Sequence, residues 1–124
     1  MHRSLLGILA LAGLAAPACA QPQASCAAPP AGWVRYDPGH APEHRIRLSA
    51  ILRADGSVAW HGAAISEERL IAYLARTRSM NPAPYIVLGR EPGADCRRLR
   101  HLRALFETHA GCGGSGVCSE VPAP

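Results

Sequence analysis

The stretch RADGSVAWHG, residues 53–62, sets an aspartate, a serine and a histidine close together: Asp55, Ser57 and His61. A carboxylate, a hydroxyl and an imidazole are the parts of a nucleophilic hydrolase. Their spacing speaks against that use. In an extended chain four residues span about 13 Å, so Ser57 cannot hydrogen-bond to His61 along one strand. Asp55-Gly56 is instead a turn signal, and His61-Gly62 a second corner. The trio reads as scaffold, and no catalytic residue is assigned.

Four residues of metal-ligating type, His101, His109, Cys112 and Cys118, lie near one another in the chain. On one helix, however, His101 and His109 stand about 12 Å apart along the axis, too far for a single ion. His40 and His44 lie in a proline-containing stretch with no third ligand beside them. Cys112 and Cys118 flank Gly-Gly-Ser-Gly-Val, which is not the short Cys-x-x-Cys of thiol oxidoreductases. The residues therefore indicate no metal and no cofactor. Arg97, Arg98, Arg100 and Arg103 form the densest basic run. It reads as a mostly solvated helix face, and as a candidate contact for an anionic envelope polymer or a partner protein.

These residues belong to a chain of 124, enough for one domain. Hydrophobic residues make up 48%, but many are alanine and only six residues are aromatic, so the core must be small. All thirteen basic residues are arginine, and the formal charge is +4. The arginines are spread from position 3 to position 103, with no basic stripe interleaved with stacking aromatics. That pattern argues against nucleic-acid binding.

The first twenty residues, MHRSLLGILALAGLAAPACA, have the anatomy of an export signal. His2 and Arg3 precede an apolar stretch from Leu5 to Ala16, and Ala18-Cys19-Ala20 is a small-x-small cleavage site. The stretch is shorter than the roughly 20 residues of a spanning helix. A membrane association is expected only if residues 1–20 are kept as an anchor. Lipid modification of Cys19 is disfavoured by Ala16, which stands where a leucine is expected. Cleavage leaves Cys26, Cys96, Cys112 and Cys118, which in a small exported domain read as two disulfides.

Residues 21–43 hold five prolines and little periodicity, an extended lead-in tied down by Cys26 and by Trp33. From His44 the chain alternates: Ile46, Leu48, Ala50 and Leu52 against Arg45, Arg47, Ser49 and Ile51, a half-buried strand. Val58 and Trp60 continue it beyond the turn. A three-residue loop, Ala54-Asp55-Gly56 with Gly56 left-handed, pairs Leu52 with Val58 and Ala50 with Trp60. This register gathers Leu48, Ala50, Leu52, Val58 and Trp60 on one face and turns Ser57, Ala59 and His61 outward.

Ser66 is an N-cap, Glu67 and Glu68 fill the first turn, and Ile65 can staple to Leu70 in a helix ended by Asn81-Pro82-Ala83-Pro84. Tyr85-Ile86-Val87-Leu88 reads as a central strand. Asp95 caps a second helix from Cys96 to His109, with Leu99, Leu102, Leu105 and Phe106 apolar and Arg97, Arg100 and Arg103 mostly opposite; Gly111 stops it. Val117–Val121 is the last strand. The order β-β-α-β-α-β predicts an α+β sandwich, a small sheet with two helices on one face.

Cys96 and Cys112 then sit at opposite ends of a helix about 20 Å long, beyond the roughly 7 Å that a disulfide allows between Cα atoms. Two connectivities remain: Cys112–Cys118 with Cys26–Cys96, or Cys96–Cys118 with Cys26–Cys112. The Gly-rich loop closes easily, which favours the first.

The run ILRADGSVAWHGAAISEERL, followed by NPAPYIVL, a short loop and a helix, resembles the periplasmic domain of the ExbD/TolR family over residues 44–121. The resemblance implies a small, dimeric, non-enzymatic binding module serving a proton-driven envelope transport machine. Its implied partners are an envelope energy-transducing protein or peptidoglycan, with a homodimer as the implied assembly. Family members that couple to the proton gradient carry an aspartate in a membrane helix, whereas residues 1–20 here hold no Asp or Glu. Proton conduction is thus not expected of this chain. The competing expectation is a small secreted enzyme or inhibitor that works through the Cys112–Cys118 loop.

Overall fold

A computed structural model describes residues 26–37, 46–114 and 116–121, together with the single position Gly13. The expected export signal, its cleavage site, His40 and His44 lie outside the described residues. Alternation makes the strands and capping makes the helices. Strand β1 is Val34–Arg35, β2 Arg47–Leu52, β3 Val58–Trp60 and β4 Ala63–Ile65; helix α1 is Glu67–Thr77. Strand β5 is Tyr85–Arg90, helix α2 Cys96–Leu105, and β6 Val117–Glu120. They form one six-stranded sheet in the order β1-β6-β5-β2-β3-β4. Strands β1, β6, β5 and β2 run parallel, while β3 and β4 are antiparallel additions.

The hairpin has the register that the hydrophobic pattern requires. Ala50 pairs with Trp60 and Leu52 with Val58, around a loop in which Gly56 has φ +87°. The Gly56 amide donates to the Arg53 carbonyl and the Arg53 amide to that of Ser57, both at 2.9 Å. Both helices cover one sheet face. Ala50, Leu52, Val58, Ile86, Leu88 and Cys118 from the sheet meet Leu70 and Leu74 of α1 and Leu99 and Leu102 of α2 in a single core. Ser66 Oγ accepts the Arg69 amide at 3.2 Å and caps α1; Asp95 Oδ1 accepts the Arg97 amide at 2.6 Å and caps α2.

Four expectations need correction. The lead-in contributes an edge strand, β1, and Ala63-Ala64-Ile65 pairs with β3 as β4 instead of turning straight into the helix. Helix α2 ends at Leu105 and widens into a π-turn over Phe106–Ala110 before left-handed Gly111 stops it. Ala59 does not face solvent but is only 2% exposed. It shares the second face of the sheet with Tyr85, Val87 and Ser119, which are also buried there.

The disulfides join Cys26 to Cys96 and Cys112 to Cys118, the arrangement favoured by the flexible loop. Two disulfides fit an oxidising compartment. Among the described residues no helix is long and apolar enough to cross a membrane.

Candidate functional site

Parallel pairing carries the carboxyl ends of β1, β6 and β5 to one edge of the sheet. Their last residues are Arg35, Glu120 and Arg90. Glu120 is in register with Arg35 on one side and Leu88 on the other, and Arg90 follows Leu88 by two positions. Side chains alternate with a period of two, so all three project toward the helix-covered face. Crevices outside the carboxyl ends of parallel strands are where open α/β sheets hold ligands.

Helix α2 supplies the fourth charge. Arg103 sits one position past Leu102 and four past Leu99, both fully buried, so the helical period aims it at the sheet. Arg103 Nε donates to Glu120 Oε2 at 2.7 Å and Nη2 to Oε1 at 2.6 Å, a two-pronged ion pair. Its Nη1 donates to the Ala28 carbonyl at 3.3 Å. Both side chains are only 8% exposed. The expectation that Arg103 belongs to a solvated arginine face is therefore wrong. It lies on the stripe 99-102-103-106, and a buried carboxylate compensates its charge.

Residues 26–36 of the lead-in form the outer wall as a strap over the strand ends. Cys26 anchors its start to the first residue of α2. Trp33 anchors its middle: the indole stacks on Phe106 with centroids 5.8 Å apart, and Nε1 donates to Glu107 Oε1 at 3.2 Å. Gly32 lies against Gly113 so closely that a Cβ there would stand 2.7 Å from the Gly113 Cα. Between strap and sheet lies a pocket of about 460 Å³. Its lining includes Cys26, Ala28, Pro29, Trp33 and Tyr36, along with Arg35, Arg90, Arg103 and Glu120. Among the described lining residues, three are arginines and one is a glutamate. Arg90 Nη1 is held against Cys26 Sγ, which fixes that guanidinium at the wall.

The other residues singled out in the sequence do not converge here. Arg97 and Arg100 are exposed on the outer side of α2. Arg98 is tied inward, its Nε donating to the Gly56 carbonyl at 3.0 Å and its Nη1 to Glu67 Oε2 at 3.3 Å. The four arginines thus form no single contact patch. His101 Nε2 hydrogen-bonds to Glu67 Oε1. That bond, followed by the one from Arg98, holds the Glu67 carboxyl below the usual glutamate range. In the opening trio, Ser57 donates from Oγ at 2.6 Å and from its backbone amide at 2.9 Å to Asp55 Oδ1. These bonds, with the nearby charge of Arg53, lower the Asp55 pKa. The serine hydroxyl therefore serves its own turn. His61, at φ +48°, sets its ring edge-on to Trp60 with centroids 5.5 Å apart.

Sequence reasoning missed Arg35, Arg90 and Glu120 as a group. A signal was present: Arg90 closes the otherwise apolar run Tyr85–Gly89, and Glu120 follows Val117-Cys118-Ser119. A charged residue ending a buried strand marks the sheet edge where polar groups collect. No protein-family model matches the chain, and no curated protein matches it.

Proposed function

We propose that this chain is a non-enzymatic binding module of the cell envelope, similar to the periplasmic domain of ExbD/TolR, and that it engages its partner through the strand-end pocket. The observation that carries this reading is the pocket itself, a roughly 460 Å³ cleft with a largely apolar wall. The polar groups most suggestive of chemistry are spent on structure: Ser57 on Asp55, Glu120 on Arg103, and His101 on Glu67. The two disulfides favour export, and the export signal read in residues 1–20 supplies the route. The partner is peptidoglycan, a carboxylate-bearing polymer, or an energy-transducing envelope protein.

The test is co-sedimentation of the purified mature domain with peptidoglycan sacculi, alongside cross-linking in intact envelopes. Retention by sacculi, or a cross-link to a transport-motor protein, is expected, and weaker retention of Arg90→Gln would place the contact at the pocket. Capture by neither would sink the proposal and favour the rival reading, a secreted enzyme or inhibitor acting through the Cys112–Cys118 loop.

A further inference from the structure

The two disulfides sit in different surroundings. Cys26 and Cys96 are both half-buried, whereas Cys118 is fully buried in the core and Cys112 alone of that pair reaches toward the surface. We infer that Cys26–Cys96 is a thiol-exchange site, at which an external dithiol reduces the bridge ahead of Cys112–Cys118 and frees the start of the strap from a domain that stays folded.

Exchange begins when a thiolate attacks one sulfur of a disulfide and the other sulfur leaves as a thiolate. At Cys112–Cys118 neither direction is favourable. Burial blocks attack on Cys118 Sγ. Attack on Cys112 Sγ would expel the Cys118 thiolate into the apolar core that it shares with Ile86 and Leu88.

At Cys26–Cys96 both residues reach the surface in part, and one sulfur has a donor in place. Arg90 Nη1 donates to Cys26 Sγ. Arg90 has a further partner besides, so what it offers the sulfur is a fixed N–H donor and not a free charge. Such a bond strengthens when its acceptor becomes charged, and a better-stabilised thiolate leaves faster. Cys96 is the first residue of α2, and Asp95 Oδ1 already takes the Arg97 and Arg98 amides at that helix end. A Cys96 thiolate would find those donors occupied, which sets the direction: Cys96 Sγ is attacked and Cys26 leaves. Arg97 and Arg100, exposed on α2 close to Cys96, draw an anionic reagent toward it.

The first thiolate of the dithiol bonds to Cys96 Sγ as the Sγ–Sγ bond breaks, and Cys26 departs as a thiolate. The second thiolate then attacks the reagent's own sulfur in the mixed disulfide, closing the reagent's disulfide and expelling Cys96. Two electrons pass from dithiol to bridge, and the two thiol protons end on the two cysteines. Trp33 keeps its stack on Phe106 and its bond to Glu107, so release is confined to the Cys26 end of the strap.

Graded dithiothreitol on the native protein, quenched with iodoacetamide and mapped by mass spectrometry, tests the order of opening. Cys26 and Cys96 should become alkylated at least about tenfold faster than Cys112 and Cys118. Equal rates, or Cys112 and Cys118 first, would overturn the assignment. The monothiol 2-mercaptoethanol should leave its adduct on Cys96 with Cys26 alkylated, and the reverse placement would overturn the direction of attack. Arg90→Gln should slow opening of Cys26–Cys96 about threefold or more, with Cys112–Cys118 unchanged and part of the rate recovered in Arg90→Lys. An Arg90→Gln rate equal to the parent's or above it would overturn the part given to this hydrogen bond. After selective reduction, methyl NMR should show Ala27 and Ala28 moving to unstructured positions while Leu52, Leu88 and Leu102 keep theirs. An unchanged spectrum, or collapse of the leucine signals, would overturn release of the strap from a folded domain. None of these readouts involves sacculi, so their failure would leave the binding role of the pocket standing, and failure of that role would leave the exchange site.

Discussion

Removing one partner of the Arg103–Glu120 pair should cost far more than a surface ion pair is worth. Glu120→Gln keeps the shape of the side chain and one acceptor oxygen but deletes the charge, and Arg103 stays at its buried position, its guanidinium still bonded to the Ala28 carbonyl. With both side chains 8% exposed, water cannot replace the lost carboxylate. Breaking a pair of this kind costs about 3–5 kcal/mol, against about 0–1 kcal/mol for an exposed one. Domains of this size carry only about 5–15 kcal/mol in total, so the loss would be plain in a urea titration with the disulfides intact. The double variant Arg103→Met with Glu120→Leu removes both charges and fills the space with apolar atoms. It should recover most of the stability lost by the single change. A Glu120→Gln variant that loses less than about 1 kcal/mol would refute the claim that this pair is desolvated and holds strap to sheet. A double variant no more stable than the single would show that the arginine matters for packing alone.

The two disulfides should contribute unequally, because they close segments of 70 and 6 residues. The chain-entropy relation gives about 4.4 kcal/mol for Cys26–Cys96 and about 2.2 kcal/mol for Cys112–Cys118, so denaturation of the paired Cys→Ser variants should rank them in that order; intact mass before and after reduction should show two protons gained per bridge. Glu67, held below the usual glutamate range by His101 and Arg98, contributes stability that is complete above its unfolded-state value and drains away as pH falls through the folded one. Stability measured from pH 6 down to pH 3 should therefore show a gap between the parent and Glu67→Gln that closes in acid, and a gap that widens in acid would reverse the sign of the argument. Gly32→Ala places a methyl against the Gly113 backbone, so it should loosen the strap and raise hydrogen exchange at the Trp33 indole, whereas unchanged exchange would show that the close approach is not needed.

Much of the fold was legible because alternation, capping and turn chemistry agree with one another. Leu52 and Val58 choose their register through the hydrophobic face, and Gly56 supplies the left-handed residue that this register needs. Ser66 and Asp95 start both helices where capping chemistry places them. What escaped was non-local. Val34 and Arg35 are too few to show a period, and they become a strand only because β6 presents a free edge. Ala59 looked outward because alternation marks two faces without saying which of them is covered. Its burial belongs to the second face of the sheet, where Val87 and Tyr85 are buried as well.

The site was harder to read than the fold because the clues to it point the wrong way locally. Aspartate, serine and histidine crowd into one hairpin, where turn chemistry consumes them, whereas Arg35, Arg90, Arg103 and Glu120 are scattered over 86 positions. They meet because three parallel strands end together and because Arg103 occupies a place that the apolar stripe of α2 would have given to a leucine. An arginine on such a stripe needs a buried carboxylate to meet it. Glu120, ending the last strand, faces that stripe with its charge on the helix side. The proline-rich lead-in seemed a linker for the same reason, since it has no period of its own. Its fixed points are Cys26 and Ala28, both held by α2, Gly32, packed on Gly113, and Trp33, stacked on Phe106. Once those attachments are made, residues 26–36 are the wall that turns an open sheet edge into a pocket.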